Sequence, residues 1–174
     1  MTGGLTVTRP KRRYYGEYLA ACREAREAGV KEWEPIAPGQ ETRWRKTAPL
    51  MYLCLRKGWR LPRGIPAMDT WWFVRDGKFV GECQIRKGLD AETARVLGHI
   101  GYAVRPALWG RGYGTEILKW AAEKARAMGE NAVCLVIHEG NAASVRTAVK
   151  AGFCPAGNTT DPETGQRQDV YELK

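Results

Sequence analysis

The spacing of apolar positions changes several times along this chain, and each change marks an element. From Glu17 to Ala28, Tyr18, Ala21, Cys22 and Ala25 recur at helical spacing, and Gly29 supplies a stop. Pro35 and Pro38 break the chain next. Gln40 to about Lys57 is helical in pattern but contains Pro49. The pattern therefore predicts a kinked helix, or two short ones with Pro49 in the first turn of the second. Leu61 to Met68 reads as a loop. Thr70–Val74 and Lys78–Lys87 read as strands joined by Asp76-Gly77, a strong hairpin signal. Gly98–Val104 is a third strand. Ile117, Leu118, Ala121, Ala122, Ala125 and Met128 then line one face of a helix that ends near Gly129. Ala132–Ile137 is almost wholly apolar, as in a central strand covered on both faces. Asn141–Ala151 is a short helix stopped by Gly152, and Phe153–Gly157 with Asp169–Leu173 forms a final antiparallel pair around Asp161-Pro162. Helices, antiparallel strands and then β–α–β–α–β predict an α+β (mixed α/β) domain, a mixed sheet with helices on its faces.

Between the third strand and the long helix lies the densest chemistry. After Arg105-Pro106 come Trp109-Gly110-Arg111-Gly112-Tyr113-Gly114-Thr115. A strand feeding a glycine-rich turn that opens a helix is an anion cradle. Glycine lets backbone approach a ligand, and the first N–H groups of the helix have no partner inside it. A phosphate or pyrophosphate is the expected guest.

Composition narrows the setting. A single domain accounts for 174 residues, and no run approaches a membrane span of about 18 apolar residues. The N-terminal stretch lacks the apolar core of a signal peptide. Five widely spaced cysteines with no CxxC pair argue against a zinc site or disulfide framework, and point to reduced thiols in a cytoplasm. The net charge of +9 implies attraction to anions: phosphorylated cofactors, acidic substrates or nucleic acid. The local cluster Arg9, Lys11, Arg12 and Arg13 reads as a solvated entry to the first helix.

Three phosphate cradles compete. A P-loop needs a lysine after its glycines, and none is present. A dinucleotide fold needs GxGxxG and an acidic residue closing the next strand. Here the spacing is GxGxG, Glu139 is a weak match, and antiparallel strands come first. By contrast, Val104-Arg105-Pro106, the Trp109–Gly114 turn, Asn141-Ala142-Ala143-Ser144 and Ala151-Gly152-Phe153 together resemble the GNAT superfamily of acyl-CoA-dependent acetyltransferases over roughly residues 70 to 157. Trp109 departs from the Gln or Arg usual at the first motif position. It is similar to the branch that acetylates ribosomal-protein N-termini, small amines and antibiotics, and Gly98-His99-Ile100-Gly101-Tyr102 resembles the same branch of bacterial enzymes.

The resemblance implies a single GNAT domain with splayed central strands, whose N-terminal helices, about 14–58, shape the acceptor site. It implies direct acetyl transfer from acetyl-CoA to a primary amine of a small molecule, antibiotic, peptide or protein, without a metal, in a monomer or homodimer away from membranes. Acyl transfer involving aminoacyl-tRNA and a non-catalytic CoA-binding module are the alternatives. The backbone of Gly110, Arg111, Gly112, Tyr113, Gly114 and Thr115 would hold the pyrophosphate, with Trp109 at the head of the turn and Tyr113 packing. Arg105 and Arg111 would add charge, and Ala103 and Val104 would pair with pantetheine. Asn141 would cap its helix and touch the cofactor chain. The tyrosine many members use as acid is replaced by Ala148. Ser144 is then the candidate acid, or else it bonds backbone at its helix start. His99 and Glu82 are the candidate bases, each with a purely structural alternative, and His138 and Glu139 could line the acceptor side. Cys134 reads as core. Trp44, Trp59, Trp71 and Trp72 could wall an apolar acceptor pocket.

Overall fold

A computed structural model describes residues 4–30 and 36–173; the break expected at Pro35 lies outside them. Fourteen elements follow one another among the described residues. Strand β1 (Thr6–Thr8) and a 3-10 turn at Arg12–Tyr14 lead into helices α1 (Tyr15–Glu27) and α2 (Glu41–Lys57). A hairpin follows, β2 (Met68–Arg75) and β3 (Lys78–Arg86), then α3 (Ala91–Leu97) and β4 (Ile100–Val104). A 3-10 turn at Pro106–Leu108 precedes α4 (Tyr113–Ala127), β5 (Val133–His138), α5 (Ala142–Lys150), β6 (Cys154–Thr160) and β7 (Arg167–Leu173).

The strands form two sheets, ordered β1-β2-β3-β4 and β5-β7-β6. This corrects the single mixed sheet expected. The last strand inserts between β5 and β6 and pairs antiparallel with both. The apolar β5 is accordingly bonded to β7 alone within its sheet, not flanked by strands on both sides. The β2–β3 turn is as expected: Asp76 and Gly77 both take positive φ, 49° and 76°, the conformation of a type I′ hairpin. β1 and α3 were not legible in the pattern. α3 is seven residues long and starts on Asp90, whose carboxylate accepts the Thr93 N–H at 2.7 Å.

Pro49 neither splits nor ends α2, which runs through it as one helix. Trp44 and Ala48 are buried on its inner side, while Arg45 and Pro49 face solvent. The carbonyl of Arg45, four residues before the proline, is thus on the wet side, where water substitutes for the missing N–H. Packing of the inner face outweighs the local cost.

The chain divides into two compact units, Met1–Glu82 with Ala103–Tyr113, and Cys83–Tyr102 with Gly114–Lys174. The first is organised by rings. Tyr18 stacks on both Trp72 (centroids 4.6 Å apart) and Trp44 (5.2 Å), and Phe79 stands edge-on to Tyr18 and Trp72. Such offset and edge contacts add about 0.5–1.5 kcal/mol each beyond area burial. In the second unit the inner stripe of α4 (Ile117, Leu118, Ala121, Ala122, Ala125) is buried as the pattern predicts. α3 and α5 pack on β5.

Candidate active site

The glycine turn takes the conformation its sequence demands. Gly110 and Gly112 have φ of 75° and 85°, and a Cβ built on either would meet no atom within 4 Å. The positive φ selects glycine, and the open space leaves backbone N–H groups accessible from outside. Tyr113 begins α4, so the first-turn N–H groups, unpartnered within the helix, and the positive end of its dipole face the turn. Gly114 is different. Its Cβ would lie 3.4 Å from the Thr147 side chain and 3.6 Å from the Tyr102 ring. Gly114 in the first turn of α4 therefore packs closely on Thr147 of α5. Thr147 was not singled out in the sequence; only its place one turn after Ser144 hinted at it.

The flanking side chains have defined tasks. Trp109 is half exposed and its indole N–H donates to the Val104 carbonyl at 2.8 Å. This ties the turn back to the end of β4. The Tyr113 hydroxyl accepts from Arg75 at 2.8 Å. Arg111 is exposed beside the turn, where a phosphate contact is open to it.

Arg105 requires a correction. Its guanidinium is taken up by carboxylates of α1. Nε and Nη2 bond Glu24 at 2.7–3.0 Å, and Nη1 bonds Glu17 at 2.8 Å. Those hydrogen bonds hold the Glu24 carboxyl below its ordinary range. Arg105 thus anchors the start of the Pro106–Leu108 turn to α1 instead of presenting charge to a phosphate. The pair Glu17 and Glu24, seven residues apart on one helix face, was the available signal.

At the head of α5, Asn141 Oδ1 accepts the Ser144 N–H at 3.0 Å, the cap its motif predicts. Ser144 is half-buried in the first helical turn, and Ala148 is fully buried. A shallow depression of about 320 Å³, lined by Gly140, Asn141, Ala142, Val145 and Arg146, lies beside this helix start.

Both base candidates sit in the interior. Glu82 is 3% exposed, and its Oε2 accepts the Trp72 indole N–H at 2.9 Å. The Tyr18 and Tyr52 hydroxyls hydrogen-bond to each other; burial first, then the Glu82 charge, raises both well above the ordinary tyrosine value. The same two causes push the Cys22 thiol up to about 12. The sequence offered no pattern that joins Tyr18 and Tyr52 to Glu82, since three separate elements supply them.

His99 is 4% exposed, with both ring nitrogens engaged. Nδ1 accepts the Cys134 N–H at 2.9 Å, and Nε2 lies 3.2 Å from Glu130 Oε2. An Nδ1 that accepts from an amide carries no proton, so Nε2 bears it. Burial lowers the pKa of His99, against the opposing pull of Glu130. A ring so bound has no nitrogen left for a substrate proton, and the geometry favours the structural alternative. Cys134 is buried, as expected of a core residue.

The four tryptophans do not wall one pocket. Trp44 and Trp72 belong to the packed core, the Arg9 guanidinium covers Trp71 at 3.7 Å, and Trp59 is exposed. His138 contacts Gln168 across 3.4 Å, and Glu139 is exposed. Among the described residues no group of three or more His, Cys, Asp and Glu could hold a metal ion, and no helix is long and apolar enough to cross a membrane.

A family model for the acetyltransferase (GNAT) domain matches residues 5–154. The chain belongs to the GNAT acetyltransferase family. This GNAT acetyltransferase is therefore an acyltransferase, and solved structures agree on its fold. A ribosomal-protein-S5-alanine acetyltransferase from Vibrio fischeri superposes with a TM-score of 0.73 at 12% identity, covering 99% of this chain and 94% of the other. A ribosomal L7/L12 alpha-N-protein acetyltransferase in complex with coenzyme A gives 0.71 at 12% identity, covering 97% and 93%. The microcin C7 self-immunity acetyltransferase, in complex with acetyl-CoA and AMP, gives 0.69 at 15% identity, covering 97% and 91%. A comparison with curated proteins by sequence found no match.

Proposed function

We propose that this GNAT acetyltransferase moves an acetyl group from acetyl-CoA directly to a primary amine of a small molecule, antibiotic, peptide or protein. The observation that carries the reading is the open turn at Gly110 and Gly112 at the head of α4. Its chemistry fits a pyrophosphate: exposed N–H donors, a positive helix end, and no side chain where the anion would rest. The family assignment and the solved relatives with CoA or acetyl-CoA support the same donor.

The residues then divide the work. The backbone from Gly110 to Thr115, aided by Arg111, holds the anion. Asn141 orders the start of α5 and presents Ser144 there. Acetyl-CoA supplies a thioester whose C–S bond breaks as the new C–N bond forms. The amine must first lose its proton, and we assign that proton to Glu82, reached through the Tyr18 and Tyr52 hydroxyls. Ser144 Oγ is the group we place to pass a proton to the departing sulfur, taking in exchange the proton that the new amide nitrogen gives up. A CoA-binding module without catalysis would keep the cradle and need neither role. Among the described residues the five cysteines form no disulfide, which suits a reducing compartment such as the cytoplasm.

A second reading, acyl transfer involving aminoacyl-tRNA, draws on one observation. Residues 41–65 hold seven Arg and Lys against a single Glu, and Arg43, Lys46, Arg56, Lys57, Arg60 and Arg63 are exposed. Thiol release from acetyl-CoA, measured against panels of amines, aminoglycosides and peptides, tests the first reading. Turnover with any panel member supports it; acetyl-CoA binding without turnover on any leaves the non-catalytic module. RNA binding that weakens steeply with salt would favour the second.

A further inference from the structure

Gly98 and His99 form a junction that the roles above leave unused. β4 is bonded to β3 in one sheet, and β5 to β7 in the other. Just before β4, the His99 N–H donates to the Cys134 carbonyl at 2.7 Å, and the Cys134 N–H donates to the His99 ring at 2.9 Å. The imidazole thus takes the acceptor place that a backbone carbonyl holds in a sheet ladder. Gly98 lets the two segments meet: with φ 69° and ψ 155°, its Cβ would lie 3.1 Å from the Val136 nitrogen. The other charged or titratable groups facing the ring are Glu130 at Nε2 and Arg86. Arg86 donates its backbone N–H to the His99 carbonyl at 2.8 Å and its guanidinium to the Gly98 carbonyl at 3.3 Å.

We infer that His99 is a positioning residue of the acetyl transfer, its neutral ring clamping the root of β4 onto β5 and so fixing where β4 begins. The inference rests on the acetyl-CoA reading above. A strand held at its root has one register, and a slip of one residue turns every side chain to the opposite face. The carbonyls and amides of β4 offered to the donor keep their places only while the clamp is closed. Protonation at Nδ1 removes the lone pair that the Cys134 N–H needs, so the clamp opens in acid.

Two variants separate a clamp from a base. His99→Asn keeps an acceptor at the δ position; His99→Leu keeps the shape without it. Amide hydrogen exchange at Cys134 is read beside KM for acetyl-CoA and kcat, from pH 5 to 8. His99→Asn is expected to keep Cys134 protected, to keep KM near wild type, and to lose the rise of KM in acid. His99→Leu is expected to expose Cys134 to exchange and to raise KM about tenfold, the ratio set by one buried hydrogen bond, with kcat little changed. Equal collapse of kcat in both variants, with Cys134 still protected, would make His99 a base and overturn the clamp. Unchanged exchange and KM in His99→Leu would overturn it as well. If His99→Leu does not fold, the wild type decides, taken down from pH 7 with the His99 ring followed by NMR: Cys134 protection that survives protonation of the ring refutes the clamp. If acetyl-CoA fails to stabilise the wild type, the functional reading falls, while the exchange result still reports on the clamp.

Discussion

Replacing Gly112 by glutamate tests the cradle where its geometry is clearest. The new Cβ meets no atom within 4 Å, so nothing in the fold has to move to accept it. What remains is a backbone held at φ 85°, where an L-residue costs about 1–2 kcal/mol. For a domain of this size that lowers Tm by roughly 2–8 °C. The effect on the donor is larger. A carboxylate about 4 Å from a phosphate charge, at the effective dielectric of a protein surface, is repelled by about 4 kcal/mol, near a thousandfold in affinity. Wild-type protein with acetyl-CoA at a hundred times its Kd gains about 2.7 kcal/mol, an upward shift of roughly 5–11 °C. Thermal unfolding with and without acetyl-CoA reads both quantities in one plate. The variant should unfold a few degrees lower alone and show no shift with acetyl-CoA. A Gly112→Glu protein that keeps the full wild-type shift would refute the placement of the pyrophosphate at this turn.

Three further outcomes follow from the geometry. Gly98→Ala combines a backbone region reserved for glycine with a 3.1 Å approach to the Val136 nitrogen, which together cost roughly 2–5 kcal/mol; a urea midpoint equal to wild type would contradict this. Glu24→Gln removes a carboxylate from the Arg105 fork, at a cost of about 1–3 kcal/mol at pH 7. Because the folded carboxyl is held below its unfolded value, that stabilisation is present above about pH 4.3 and fades as pH falls through the folded value, so wild type and Glu24→Gln should converge in acid. Unequal thiol reactivity is the last: exposed Cys154 should react with a disulfide reagent at pH 8 while Cys22, its thiol pushed up to about 12 and buried, stays silent until unfolding.

Local rules made most elements legible. The stripe on α4, the Asp76-Gly77 hairpin, the Asn141 cap and the glycine turn each depend on residues within a few positions of one another, where φ preference, spacing and capping act directly. The conformation of that turn was readable for the same reason, because positive φ at Gly110 and Gly112 and the open helix start are properties of seven consecutive residues. β1 and α3 were not, since three and seven residues carry too little periodicity to stand out. The insertion of β7 between β5 and β6 was equally hidden, because strand order depends on which distant edges meet. Partnership between side chains distant in sequence was the least legible. Arg105 had the charge for a phosphate, but α1 brought Glu17 and Glu24 to it first. His99 had the pKa of a base, but burial against Cys134 and Glu130 engaged both its nitrogens. Residue type by itself determined what each group is able to do; the tertiary structure decided which group it does it with, because a hydrogen bond or ion pair needs its partner within about 3 Å and only the fold sets that distance.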